Sequence, residues 1–213
     1  MKLCLSLLSI SSLLFLTFCV SDPNTSNLQS GDFLFVSAKQ ENLSGAIDKV
    51  TQTDKNHHYS HIAMVEVETD STIWVIHAGT KNGSERVSLQ TFLSYYEDNT
   101  IDIFRLKDVY HHTIPSAIES AKTFLGKPYN YSYILSDTAL YCSDLIQRSF
   151  AKDSIFGLYP MTFKDSETGS FNEYWVEFYK DLGIEIPEGK PGCNPNQMAV
   201  NEKLEFIERL NAP

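Results

Sequence analysis

Cys142, His61 and His77 are the residues of this chain whose types and settings suit acyl-transfer chemistry. Cys142 opens the run Cys142-Ser143-Asp144-Leu145-Ile146, and Leu145, Ile146 and Phe150 recur at the spacing of a core-facing helix. That places the thiol at a helix N-terminus. There the positive end of the helix dipole and the unpaired amides favour thiolate, and the same amides can receive the oxyanion of a tetrahedral intermediate. Asp144, in the first turn, opposes a neighbouring thiolate, so a base is needed as well. His61 is the candidate. The competing reading of Cys142 is a buried structural thiol, the commonest fate of a single cysteine.

The segments around His61 and His77 are close enough to form a hairpin through Glu68-Thr69-Asp70. One register opposes His61 to His77, Ala63 to Val75 and Val65 to Ile73, and puts all six residues on one face. Directly opposed residues have Cβ atoms about 4.5–5.5 Å apart, so the two imidazoles can share a hydrogen bond that sets a tautomer. A nucleophile, a base and a group orienting that base make up a hydrolytic triad. The alternative is a pair of satisfied, half-buried histidines on an amphipathic ribbon.

Other histidines and cysteines fit such roles less well. His57 and His58 are adjacent, point to opposite sides of an extended chain, and lack a carboxylate or thiolate motif at metal-ligand spacing, so no metal and no cofactor is expected. His111 and His112 precede a helix cap and are assigned no role. Cys193, in a Pro-rich turn, reads as a spectator thiol. Phe171, Tyr174, Trp175, Phe178 and Tyr179 have helical spacing and read as core, with one edge free to line a groove.

The elements that must hold these side chains follow from pattern. Phe33–Ser37, Ser60–Val67, Thr72–Ala78 and Ile101–Leu106 are β-branched or aromatic runs and predict strands. Thr113 to about Phe124, Cys142 to about Ala151, and Asn172 to Leu182 predict helices, and Leu204–Ile207 a short last strand. Ser154 to Phe171 reads as a loop beside the site. The fold class is therefore α+β, an antiparallel sheet with helices packed on it.

At the N-terminus, Lys2 precedes a Leu-rich run from Leu3 to Val20, the layout of a secretory signal peptide over residues 1–20. An uncleaved membrane anchor is the competing reading. Residues 21–30 read as a flexible tether and residues 31–213 as one domain. An exported, cell-envelope location follows. Cys19 stands where bacterial lipoproteins are lipidated, although Phe18 before it is bulky, and a lipid there would anchor the chain to a membrane. Of the four cysteines, Cys142 and Cys193 then remain in the mature domain. A formal charge of -10 with no basic stripe argues against nucleic acid as a partner.

Gly126-Lys127-Pro128-Tyr129 and Tyr141-Cys142-Ser143-Asp144-Leu145-Ile146 resemble the Gly-x-Pro-Tyr and Cys-Ser-x-Leu signatures of the NlpC superfamily of papain-like, cell-wall cysteine peptidases. Ser60-His61-Ile62-Ala63-Met64-Val65 and Val75-Ile76-His77-Ala78 are similar to its histidine strand and third-residue strand. Both histidine motifs precede the cysteine, an order that resembles the circularly permuted, YiiX-like branch and, more remotely, the lecithin:retinol acyltransferase group. The resemblance spans Gly31 to Ile207. It implies a permuted papain-like fold and an exported cysteine hydrolase in which Cys142 is nucleophile, His61 base and His77 orienting residue, with Tyr129 and Ser143 near the oxyanion or substrate. Permuted relatives often carry Glu at the third position. The implied substrate is a peptide or N-acyl amide of the cell wall. The alternatives are acyl transfer or lipid-ester hydrolysis by the same three residues, and a binding module of this fold without turnover.

Overall fold

The computed structural model describes residues 27–53, 57–166 and 168–211. The Leu-rich N-terminal run, Cys4 and Cys19 lie outside them. No helix among the described residues is long and apolar enough to cross a membrane.

Strands β1 (Phe33–Ser37), β2 (Tyr59–Val67), β3 (Ile73–Gly79), β4 (Gly83–Ser88) and β5 (Thr100–Leu106) lie in the first half of the chain. With β8 (Leu204–Asn211) they form one sheet in the order β4-β3-β2-β1-β5-β8, every neighbouring pair antiparallel. Helices α1 (Asn42–Thr51) and α2 (Leu89–Tyr95) interrupt this series. Helices α3 (Ile114–Lys122), α4 (Cys142–Ser149), α5 (Glu173–Leu182) and α6 (Pro195–Ala199) follow it. A small ribbon of β6 (Tyr159–Pro160) and β7 (Pro191–Gly192) lies within the segment expected as loop and the turn before α6. The expected mixed architecture, an antiparallel sheet with helices on it, is what forms.

Side-chain alternation splits the core in two. Phe33, Phe35, Ile62, Met64 and Ile76 face one way and meet α3 and α4 through Ala117, Ala121, Leu145 and Ile146. Leu34, Val36, Ala63, Val65 and Val75 face the other way and meet Leu89 and Phe92 of α2. Both faces of the sheet are thus covered, which explains why β1 reads as a continuous apolar run rather than an alternating one.

The packed domain starts earlier than Gly31. Leu28 is buried in the second core cluster, and Arg105 donates to the Asn27 carbonyl, so residues 27–30 belong to the domain and not to the tether. The sequence pattern also passes over α1 and β4. In α1, Gly45 sits where a Cβ would strike the Gln40 carbonyl, so a poor helix former is required by close approach. Gly83 has φ +72 and would clash with the Lys127 carbonyl if it carried a Cβ. Its neighbour Ser84 exchanges backbone hydrogen bonds with Lys127 and Gly126, which ties the Gly-x-Pro-Tyr segment to β4.

Candidate active site

The β2–β3 ladder pairs Met64 with Ile76 and Val65 with Val75, so the register differs from the expected one, in which Val65 opposed Ile73. Both registers keep the same residues on the same face. The ladder stops at Met64 and Ile76, while β3 continues its pairing with β4 as far as Gly79. At that opening the Ile62 amide points to the sulfur of Cys142 on α4. His61 and His77 are therefore not opposed in a ladder, yet their rings still meet: His61 Nε2 lies 3.2 Å from His77 Nδ1, with the ring planes at 89°. Long rings span the diagonal distance between strands.

Helix α2 walls this pair. Phe92 packs edge-on to His77 and stacks toward His61, and Tyr96, just past the helix, stacks on His61 with centroids 5.2 Å apart. Burial, then the charge of His77, holds His61 well below its ordinary pKa. Burial pushes His77 down to about 4. Both rings are neutral in the resting protein at neutral pH. The wall was readable: Ser88 accepts from the Thr91 amide as an N-cap, and Leu89, Phe92 and Tyr96 fall at helical spacing.

Cys142 stands at the first position of α4, as its sequence setting indicates. Tyr141 occupies the cap position and offers no side-chain bond to the helix. The first amides of α4 thus lack a capping oxygen, and those of Cys142 and Ser143 turn to the sulfur. The thiol is nevertheless not lowered. Burial outweighs these amides and pushes Cys142 up to about 11. The dipole argument overlooked that the thiol would be only 4% exposed. No direct hydrogen bond joins Cys142 to His61 among the described residues; the Ile62 amide and Tyr96, whose hydroxyl is raised first by burial and then by Cys142, connect the two sides.

Cys142 opens on a cavity of about 240 Å³ whose lining includes Tyr129, Tyr133, Tyr141, Met161, Phe163 and Trp175. Among the described residues, no charged side chain lines it. Tyr129 lines this cavity, with its hydroxyl 3.5 Å from that of Tyr133. Ser143 is beside the sulfur; its hydroxyl donates to the Cys193 carbonyl at 3.0 Å and also reaches the sulfurs of Cys142 and Cys193. Cys193, read as a spectator, lines the same cavity and is pushed up to about 12 by burial. Asp144 is buried and paired with Arg148 at 2.7 Å. The aromatic run divides: Trp175 and Tyr179 are core, and Phe171 and Tyr174 are exposed. His58 bonds Asp48 of α1 at 3.0 Å and is not part of the histidine pair.

A sheet carrying both histidines ahead of a cysteine-bearing helix that packs on it defines the permuted papain-like class. The family model described as "Permuted papain-like amidase enzyme, YaeF/YiiX, C92 family" matches residues 27–208, and the chain belongs to that family of cysteine-peptidase-type amidases. The crystal structure of metalloprotein yiiX from Escherichia coli O157:H7 is similar, with a TM-score of 0.68 at 21% identity. It covers 85% of this chain and 97% of its own, a likeness of fold. No curated protein matches the chain. Among the described residues, no group of three or more His, Cys, Asp or Glu side chains is arranged to hold a metal.

Proposed function

We propose that this chain hydrolyses a neutral N-acyl amide through a covalent thioester on Cys142, with His61 as base and His77 as orienting residue. The observation that carries the reading is the setting of the sulfur: amides of Ile62, Cys142 and Ser143 converge on it at the mouth of an uncharged, aromatic cavity. His61 Nε2 is occupied by His77, so Nδ1 is the nitrogen left to take the thiol proton.

The steps follow from these positions. His61 takes the proton as Sγ attacks the carbonyl carbon, and the negative charge on the carbonyl oxygen is received by the amides at the start of α4. The intermediate collapses, breaking the C–N bond, and the amine leaves with the proton from His61. Water, deprotonated by His61, then attacks the thioester and releases the acid and the thiol. Because Cys142 starts protonated, thiolate forms only as substrate arrives.

The uncharged cavity favours an apolar acyl group over a peptide bearing several carboxylates, whose desolvation there would be unpaired. The same feature supports a second reading, in which an acceptor other than water takes the acyl group. The Leu-rich run ending near Cys19 supports an exported protein acting on cell-envelope material, with Cys19 as a lipid anchor.

The test is hydrolysis of a fatty N-acyl amide and of purified muropeptides by wild type and Cys142→Ala. The substitution is expected to lower turnover at least ~10³-fold. Equal turnover by both proteins would sink the thiol mechanism, and cleavage of muropeptides alone would sink the neutral substrate.

A further inference from the structure

We infer that Glu85 is a positioning residue that decides which nitrogen of His61 is free to accept the thiol proton. The inference rests on the Cys142–His61–His77 reading above.

Glu85 lies directly across from His77 in the β3–β4 ladder, with Oε1 3.3 Å from His77 Nε2. Among the described residues, that buried nitrogen has no hydrogen-bond partner, and the carboxylate stands within ion-pair distance but off the line of a good bond. A carboxylate only accepts, and a ring lone pair aimed at it is repelled. His77 must therefore carry its hydrogen on Nε2. Its Nδ1 then accepts, so His61 Nε2, 3.2 Å away, must be the donor. The only lone pair left on His61 is at Nδ1. One carboxylate, two rings distant from the thiol, thus orders every proton in the chain.

Two further features support the assignment. Asn82 donates from Nδ2 to both Glu85 oxygens, at 3.1 and 3.0 Å, and holds the carboxylate in place. A second cleft of about 250 Å³, lined by His77, Thr80, Lys81, Asn82, Glu85 and Tyr95, reaches His77 separately from the cavity that holds Cys142. The groups facing the pair are Glu85 from β4, Lys81 from the β3–β4 turn, and Tyr95 and Tyr96 from α2 and its end, with Cys142 of α4 acting on the Tyr96 hydroxyl.

The test compares wild type, Glu85→Gln and Glu85→Leu by two readouts that need no substrate. Nitrogen-15 spectra of the histidine rings report the tautomers, and iodoacetamide measures the reactivity of Cys142. In wild type both rings carry hydrogen on Nε2, and in Glu85→Gln, whose amide NH2 can donate to His77 Nε2, that preference weakens. In Glu85→Leu that preference is lost and alkylation of Cys142 slows about tenfold, part of the effect of a positioned base. Unchanged tautomers in a folded Glu85→Leu protein overturn the inference. If instead His61→Ala alkylates at the wild-type rate, the catalytic reading fails, and the ring spectra still decide the role of Glu85.

Discussion

Cys142 and Cys193 line one cavity, are 4% and 5% exposed, and are both pushed above the ordinary thiol range by burial. Their surroundings differ. Cys142 receives the amides of Ile62 and Ser143 at an uncapped helix start, together with the Ser143 hydroxyl. Cys193 lies between β7 and α6, with its amide donating to the Tyr141 hydroxyl and its carbonyl accepting from Ser143, while Asp144 adds a repelling charge. What differs is the kind of donor at each sulfur: backbone amides of a helix start and of Ile62 for Cys142, and the Ser143 and Tyr141 hydroxyls for Cys193.

The largest expected effect breaks this comparison at the base. Cys142 should alkylate faster than Cys193 at every pH from 6 to 9, and His61→Ala should slow Cys142 on the order of 10²-fold while leaving Cys193 unchanged. Mass spectrometry of each thiol after timed iodoacetamide treatment measures both. Equal rates for the two thiols in wild type would remove the distinction.

A second measurement tests the buried histidine pair through stability. His77 binds its proton near pH 4 when folded and near its ordinary value of 6.5 when unfolded. Its contribution is then fully present above pH 6.5 and is lost as the pH falls toward 4. Roughly 3 kcal/mol is at stake from this residue. Urea midpoints should fall across that window in wild type and fall less in His77→Gln. A flat wild-type profile would mean that His77 is not held neutral by burial.

The smallest effect tests how Cys193 is held. Ser143→Ala removes the 3.0 Å bond to the Cys193 carbonyl and should cost about 1 kcal/mol in urea unfolding. The alkylation rate of Cys193 should fall more than that of Cys142, since the Ser143 hydroxyl lowers both thiols but residue 143 keeps its amide at the Cys142 sulfur. The reverse pattern would assign the Ser143 hydroxyl to the nucleophile.

Local pattern carried much of this architecture. The runs at Phe33–Ser37 and Thr100–Leu106, the helix opened by Cys142, and the helix that Asn172 caps and Gly183 ends are all legible, because period and capping chemistry are properties of short segments. Helix α1 was hidden by Gly45, whose reason is a contact with Gln40. Strand β4 was hidden by the polar alternation of Ser84-Glu85-Arg86. Glu85 faces His77 on that strand, so missing the strand meant missing the residue.

By itself, then, the sequence determined that a thiol would begin a core-facing helix, that two histidines on neighbouring strands would share one face of a hairpin, and that their order was that of a permuted papain-like chain. Tertiary structure alone decided that the β2–β3 ladder would part at Met64, that the Ile62 amide would turn to sulfur, and that Glu85 would stand behind His77. It also decided that Cys142 would rest protonated, against the expectation from its helix position. The reason is physical: spacing along a chain specifies which side chains share a face, whereas desolvation and register depend on what the rest of the molecule places against that face.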